Sequence, residues 1–206
     1  MADDFFAAFL GNQNRARLLR LFVLNQPQVF TKALASKRAG VGAGVVGREI
    51  QALEKLGVLK KAKLSIQIGK EKRMVTGKQK GDAWAFDASF KHASALSKFL
   101  HEVSPVQHKT IVDALKRSGR LAAVILSGSF MGDPTRPVDL IVAADGLNES
   151  RLEQIIKGLE PQFGREIRYA VFTGPEFRYR LTVQDRLIRD TLDYPHLVLL
   201  DKARLL

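Results

Sequence analysis

The chain has 206 residues, 46% of them hydrophobic, and a formal net charge of +12. That length suits one large domain or two small ones, with ample apolar material for packed cores. The lack of cysteine excludes a disulfide framework and a Cys-ligated zinc; no apolar run reaches bilayer length; and Met1–Leu10, with Asp3 and Asp4 and no basic flank, is not a signal peptide, so a cytoplasmic setting without membrane association is expected.

The charge is uneven. Residues 1–103 hold 18 Lys and Arg against 8 Asp and Glu, whereas residues 104–206 hold 15 against 13. The first half is therefore expected to bind a polyanion. Phe5, Phe6, Phe9, Leu10, Leu18, Leu19, Phe22 and Val23 recur at helical spacing over Asp4–Asn25, with Gly11-Asn12 either interrupting the helix or marking its start. Pro27 ends the pattern. Thr31 is a good N-cap for a short helix to Lys37 or Arg38. After the turn Ala39–Gly42, a third helix runs from about Ala43 to Leu56, with Val46, Ile50, Leu53 and Leu56 as its apolar stripe and Gly57 as its C-cap. Val58–Ile68 is strand-like, Gly69–Gly81 is polar and Lys-rich, and Asp82–Phe86 is a second strand.

Three helices with a Gly-containing turn, followed by a basic hairpin, form the helix-turn-helix plan with a wing. The run REIQALEKLGVLKK resembles the recognition helix and first wing strand of bacterial winged-helix regulators, over roughly Arg15 to Phe90. A recognition helix reads the major groove with its N-terminal part. Gly44, Val45, Arg48 and Gln51 lie away from the apolar stripe: Arg48 suits guanine, Gln51 adenine or a phosphate, and Val45 a thymine methyl. Gly42, Gly44 and Gly47 weaken the start of that helix or let its backbone approach DNA closely. In the wing, Lys60, Lys61, Lys63, Lys70, Lys72, Arg73, Lys78 and Lys80 meet a single acid, Glu71, before Gly81. Such a tip fits phosphate contacts or minor-groove insertion, the alternative being a solvated loop.

Asp87–Val103 reads as an amphipathic helix with Phe90, Ala93, Leu96, Phe99, Leu100 and Val103 on one side. His92, His101 and His108 have no metal-ligand spacing. Ser104, Pro105 and Gln107 form a capping-box start for a helix to about Ser118, which puts the expected boundary between domains 1–103 and 104–206.

The second half centres on Leu121–Ala144: an apolar strand, the turn Gly128-Ser129, a polar loop, and a second apolar run, Val138–Val142, that contains Asp139. A carboxylate in such a run is costly unless something pairs with it. The stretch resembles the signature of the polymerase-β nucleotidyltransferase superfamily, in which a Gly-Ser turn precedes a strand carrying two acids at i and i+2. Residues so spaced share a face, and the resemblance implies that both hold Mg²⁺ against ATP. Here Asp139 stands at the second acid position and Pro137 at the first.

A helix over Glu149–Leu159, a strand over Glu166–Phe172, a short helix from Pro175, a helix over Gln184–Leu192 and a strand over Leu197–Leu200 complete a small α/β domain. The frame GREIRYAVFTGPEFRYRL resembles minimal nucleotidyltransferase domains fused behind winged helices. The third family carboxylate aligns with Arg168, so one of three expected acids remains, with Asp133 in the loop as a poor substitute. Two-metal catalysis is then not expected. Arg168 either pairs with Asp139, or joins Gly128 and Ser129 in holding a nucleotide phosphate without metal, or Asp139 is satisfied by backbone donors alone.

The expected whole is an α+β chain of two domains: a winged helix-turn-helix that binds double-stranded DNA in transcription regulation, and a degenerate nucleotidyltransferase-like domain that senses a nucleotide or binds a protein, with no cofactor. A homodimer is the default for such regulators. The alternative is an active Mg²⁺- and ATP-dependent nucleotidyltransferase acting on protein or RNA, as an antitoxin-like partner.

Overall fold

The computed structural model describes residues 4–63, 65–68, 71–74, 82–103, 108–202 and 204, with the backbone alone over 65–68, 71–74 and 108–109. It is a mixed α+β chain that divides into two compact units. One comprises Asp3–Pro105 with Glu160–Arg165; the other comprises Val106–Leu159 with Glu166–Leu206.

The first unit opens with two helices because Gly11 breaks one apolar pattern. Helix α1 (Phe5–Leu10) is capped by Asp4 and ends at Gly11, which has φ 61°. Asn12 then caps α2 (Gln13–Leu24), its Oδ1 accepting from the Arg15 N–H at 3.0 Å. Strand β1 (Phe30–Thr31) leads into α3 (Lys32–Ala39), capped by Thr31 as expected and closed by Gly40 in the left-handed region. Helix α4 (Ala43–Lys55) buries Val46, Ile50 and Leu53, the predicted stripe, while Leu56 is exposed.

Strands β2 (Leu59–Ala62), β3 (Ser65–Ile68), β4 (Glu71–Met74) and β5 (Ala83–Phe86) follow. Strand β5 lies between β1 and β2, antiparallel to both, and β3 pairs with β4 as an antiparallel hairpin. Helix α5 (Ala93–Glu102) completes the unit's regular elements up to Pro105. The core gathers Leu18, Phe22, Phe30, Ile50, Leu53 and Trp84. Arg20 is fully buried beneath it, bonded to both Asp4 oxygens at 2.6 and 2.7 Å and lying over the Phe6 ring.

The second unit runs α6 (His108–Leu115), β6 (Arg120–Leu126), a 3-10 turn (Gly128–Met131), β7 (Leu140–Asp145), α7 (Glu149–Phe163), β8 (Tyr169–Phe172), α8 (Gly174–Thr182), α9 (Arg186–Leu192) and β9 (Leu197–Asp201). Its sheet has the order β8-β7-β6-β9. Only β7 and β8 are parallel, which requires the long crossover that α7 supplies. On one face Ala123, Ile125, Ile141 and Ala143 pack against Phe172, Phe177 and Ile188. Their alternates Val124, Leu126 and Val142 are also fully buried, so β6 and β7 read as continuous apolar runs.

The last turn of α7 belongs to the first unit. There Asn25 Nδ2 donates to the Gly164 carbonyl at 2.6 Å, and Arg165 Nη2 donates to the Leu24 carbonyl. Gly164 has φ 81°, and a Cβ on it would lie 2.4 Å from the Arg20 Cβ.

Several predicted boundaries move. The single strand over Val58–Ile68 is two strands, and part of the Lys-rich stretch is β4 rather than loop. The helix predicted from Asp87 starts only at Ala93, because the Asp87 carboxylate accepts from the Ser89 N–H and hydroxyl and closes a turn instead. Helix α7 continues past Leu159 through Pro161 and stops before Gly164. The strand predicted from Glu166 pairs only from Tyr169. The capping box at Ser104, Pro105 and Gln107 lies outside the described residues. Among the described residues no helix is long and apolar enough to cross a membrane.

Candidate functional site

In the second unit, Asp139 stands one residue before β7 and is completely buried. The backbone brings Arg168 to it. The Asp139 and Leu140 N–H groups both donate to the Arg168 carbonyl, at 2.8 and 3.1 Å, which locks the entrance of β8 beside that of β7. The Arg168 side chain then closes on the carboxylate: Nε donates to Oδ2 at 2.9 Å and Nη2 to Oδ1 at 2.8 Å. The Arg168 N–H adds a bond to Oδ2 at 3.0 Å, and the Ser129 N–H one to Oδ1 at 2.7 Å. Burial pushes the Asp139 carboxyl up, but Arg168 and these N–H donors outweigh it and hold the group below its usual range. The same hydrogen bonds raise Arg168.

The turn explains its own glycine. Gly128 has φ 53°, and a Cβ there would come within 2.6 Å of both Asp139 Oδ1 and the Val138 carbonyl. The close approach that glycine permits is thus to Asp139. The Ser127 N–H also reaches the Asp139 carbonyl, at 2.9 Å, while the buried Ser127 hydroxyl has no partner among the described residues.

These residues do not fit a Mg²⁺ ion. The one carboxylate in the predicted place already accepts two arginine and two backbone N–H bonds, and a guanidinium stands where a further acid would be needed. Asp133 is turned to its own loop, bonded to the Thr135 N–H and hydroxyl and to Arg136. Among the described residues there is no cluster of three or more His or acidic side chains that could hold a metal. A carboxyl held ionised in this way is also a poor general base near neutral pH. The Ser129 N–H and Arg168 guanidinium, two donors that a phosphate would use, point at Asp139.

Sequence reasoning did not single out Arg136, which anchors the loop between Gly132 and Val138. It bonds Asp133 at 2.9 Å and Asp190 at 3.3 Å and lies 3.7 Å from the Tyr194 ring centre. Its signal was faint, an arginine just before Pro137, and its partners are distant in sequence.

In the first unit, α4 is oriented by Glu49, which accepts from Asn12 Nδ2 at 2.9 Å and Arg15 Nε at 2.8 Å. That clamp ties α4 to the start of α2. Gly44, Arg48 and Gln51 are exposed, opposite the buried stripe. Val45 is half-buried and leans on the core, so the predicted apolar contact is largely an internal one. Lys60, Lys61 and Lys63 are exposed, with Lys60 bonded to Asp87 at 2.9 Å. That bond and those from Ser89 pull the Asp87 carboxyl down to about 2. Lys72 and Arg73 lie on β4, of which only the backbone is described, and Lys70, Lys78 and Lys80 lie outside the described residues.

No protein-family model, curated protein or solved structure matches the chain.

Proposed function

We propose that the chain is a DNA-binding transcriptional regulator. Its first unit acts as a winged helix-turn-helix on double-stranded DNA. Its second is a nucleotidyltransferase-like body that senses a ligand or binds a partner and does not transfer nucleotides. One observation carries the first half of this reading: α4 turns Gly44, Arg48 and Gln51 outward from a buried Val46, Ile50 and Leu53 stripe, and the following strand exposes Lys60 and Lys61. An exposed polar helix face flanked by cations is the footprint of groove docking with phosphate contacts. The second half is supported by Asp139, whose lone pairs are spent on Arg168 and Ser129.

The test is fluorescence anisotropy of a labelled duplex across a salt series. Binding through about five phosphate contacts gives a log–log salt slope of about −4.5. Lys61→Ala and Lys63→Ala should each weaken binding to every sequence and flatten the slope by about 1. Arg48→Ala should instead erode discrimination between sequences by about 1–3 kcal/mol at one base position. Absence of duplex binding at low salt, or a preference for single-stranded RNA, would remove the reading.

A further inference from the structure

Helices α6 and α7 leave between them a groove of about 410 Å³, lined by Thr110, Ala114, Arg117, Arg151, Ile155 and Leu159, among others. Its volume falls in the range that holds small ligands. Ala114, Ile155 and Leu159 supply apolar surface; Arg151 stands on α7, and Arg117 lies in the turn two residues past the end of α6. No acid lines it.

The charge pattern is selective. Asp113 on the α6 side is bonded to Lys116 at 2.8 Å, and Glu153 on α7 to Lys157 at 2.5 Å. Neither Arg117 nor Arg151 has a carboxylate partner among the described residues. Arg117 Nε reaches only the Ala114 carbonyl, at 3.4 Å, and the Arg151 guanidinium makes no hydrogen bond among the described residues. Two forked donors, one from each wall, over an apolar floor match a carboxylate, sulfonate or phosphate attached to an apolar body.

Gly158 adds an independent sign. It also lines the groove and sits inside α7, where glycine is the weakest helix former after proline. Nothing lies within 4 Å of a Cβ built on it, so packing does not demand glycine there. What its missing side chain leaves is room in the groove.

We infer that the α6–α7 groove binds a small organic anion with an apolar body, held by Arg117 and Arg151 over Ala114, Ile155 and Leu159. The inference rests on the ligand-sensing half of the proposed function alone. DNA affinity measured without any ligand tests the other half separately.

The probe is 8-anilinonaphthalene-1-sulfonate, an aromatic body with one anionic group, titrated by fluorescence into the full chain. Wild-type protein should bind it saturably. Gly158→Leu, which fills the groove, and the double variant Arg117→Gln/Arg151→Gln, which keeps the shape and removes the charge, should each weaken binding about tenfold. The double substitution is on exposed side chains, so it serves even where Gly158→Leu disturbs α7. Phe5→Ser/Phe9→Ser, which removes the exposed stacked pair on α1, should leave the affinity unchanged. Equal binding by wild type and both groove variants, loss only in the Phe5/Phe9 variant, or no saturable binding would overturn the inference. So would a monomer–dimer equilibrium abolished by Gly158→Leu, which would assign the groove to a second copy.

Discussion

Replacing Arg168 by Met keeps the aliphatic stem and removes the guanidinium that faces Asp139. Two charge-assisted bonds are lost, at 2.9 and 2.8 Å, while the Ser129 and Arg168 N–H bonds to the carboxylate survive because they are backbone. Such bonds are worth about 1.5–3 kcal/mol each. Arg168 is 41% exposed, so solvent screening puts them at the lower end, and the expected loss is about 3 kcal/mol. The acid dependence follows from the direction of the Asp139 shift. Its carboxyl is held below its ordinary 3.8, so its contribution is fully present above that value and is lost as pH falls through the folded-state value. In Arg168→Met the folded-state value rises, and the stability gap to wild type should narrow in acid. Urea unfolding can isolate the affected unit, because Tyr169, Tyr179 and Tyr194 all lie in the second unit and the single tryptophan, Trp84, in the first. The tyrosine transition should move and the tryptophan transition should stay. A loss under about 0.5 kcal/mol near neutral pH, or a gap that does not shrink in acid, would refute the claim that Arg168 is the counter-charge of Asp139.

Gly128→Ala should destabilise the second unit by about 2–4 kcal/mol, read by the same tyrosine transition, since it combines left-handed backbone with two contacts of 2.6 Å. Asp4→Ala leaves the buried Arg20 without its carboxylate and should cost the first unit about 3–5 kcal/mol, seen as an earlier tryptophan transition. Thr173→Ala removes the cap on the Glu176 N–H and should cost about 1 kcal/mol, with thermal unfolding by circular dichroism as the check.

Long periodic segments were legible in the sequence. The stripe Val46, Ile50, Leu53 located α4, Thr31 marked the start of α3, and the apolar run after Leu121 located β6. Strand β4 was not legible, since Glu71–Met74 carries charges where an alternating pattern would have betrayed it; its pairing with β3 defines it as a strand. The Asp139–Arg168 pair was half legible. An acid inside an apolar run demands a donor, and Arg168 is one candidate the sequence offers, but the choice depends on β7 and β8 lying side by side across α7. The groove arginines had no sequence signal. Arg117 lies in the turn after α6 and Arg151 on α7, and nothing local distinguishes them from solvated surface charge.

The ownership of Glu160–Arg165 has a consequence for how the molecule can be taken apart. The polypeptide leaves the first unit after Pro105, returns for one short visit, and leaves again at Glu166. That visit supplies a bonded lid over the end of α2, through Gly164 and Arg165. A gene fragment ending near residue 103 therefore encodes a body with Asn25 and Leu24 stripped of those partners. Recombination that exchanged the front half as a continuous cassette would inherit the same defect, so the two halves are heritable together more readily than apart.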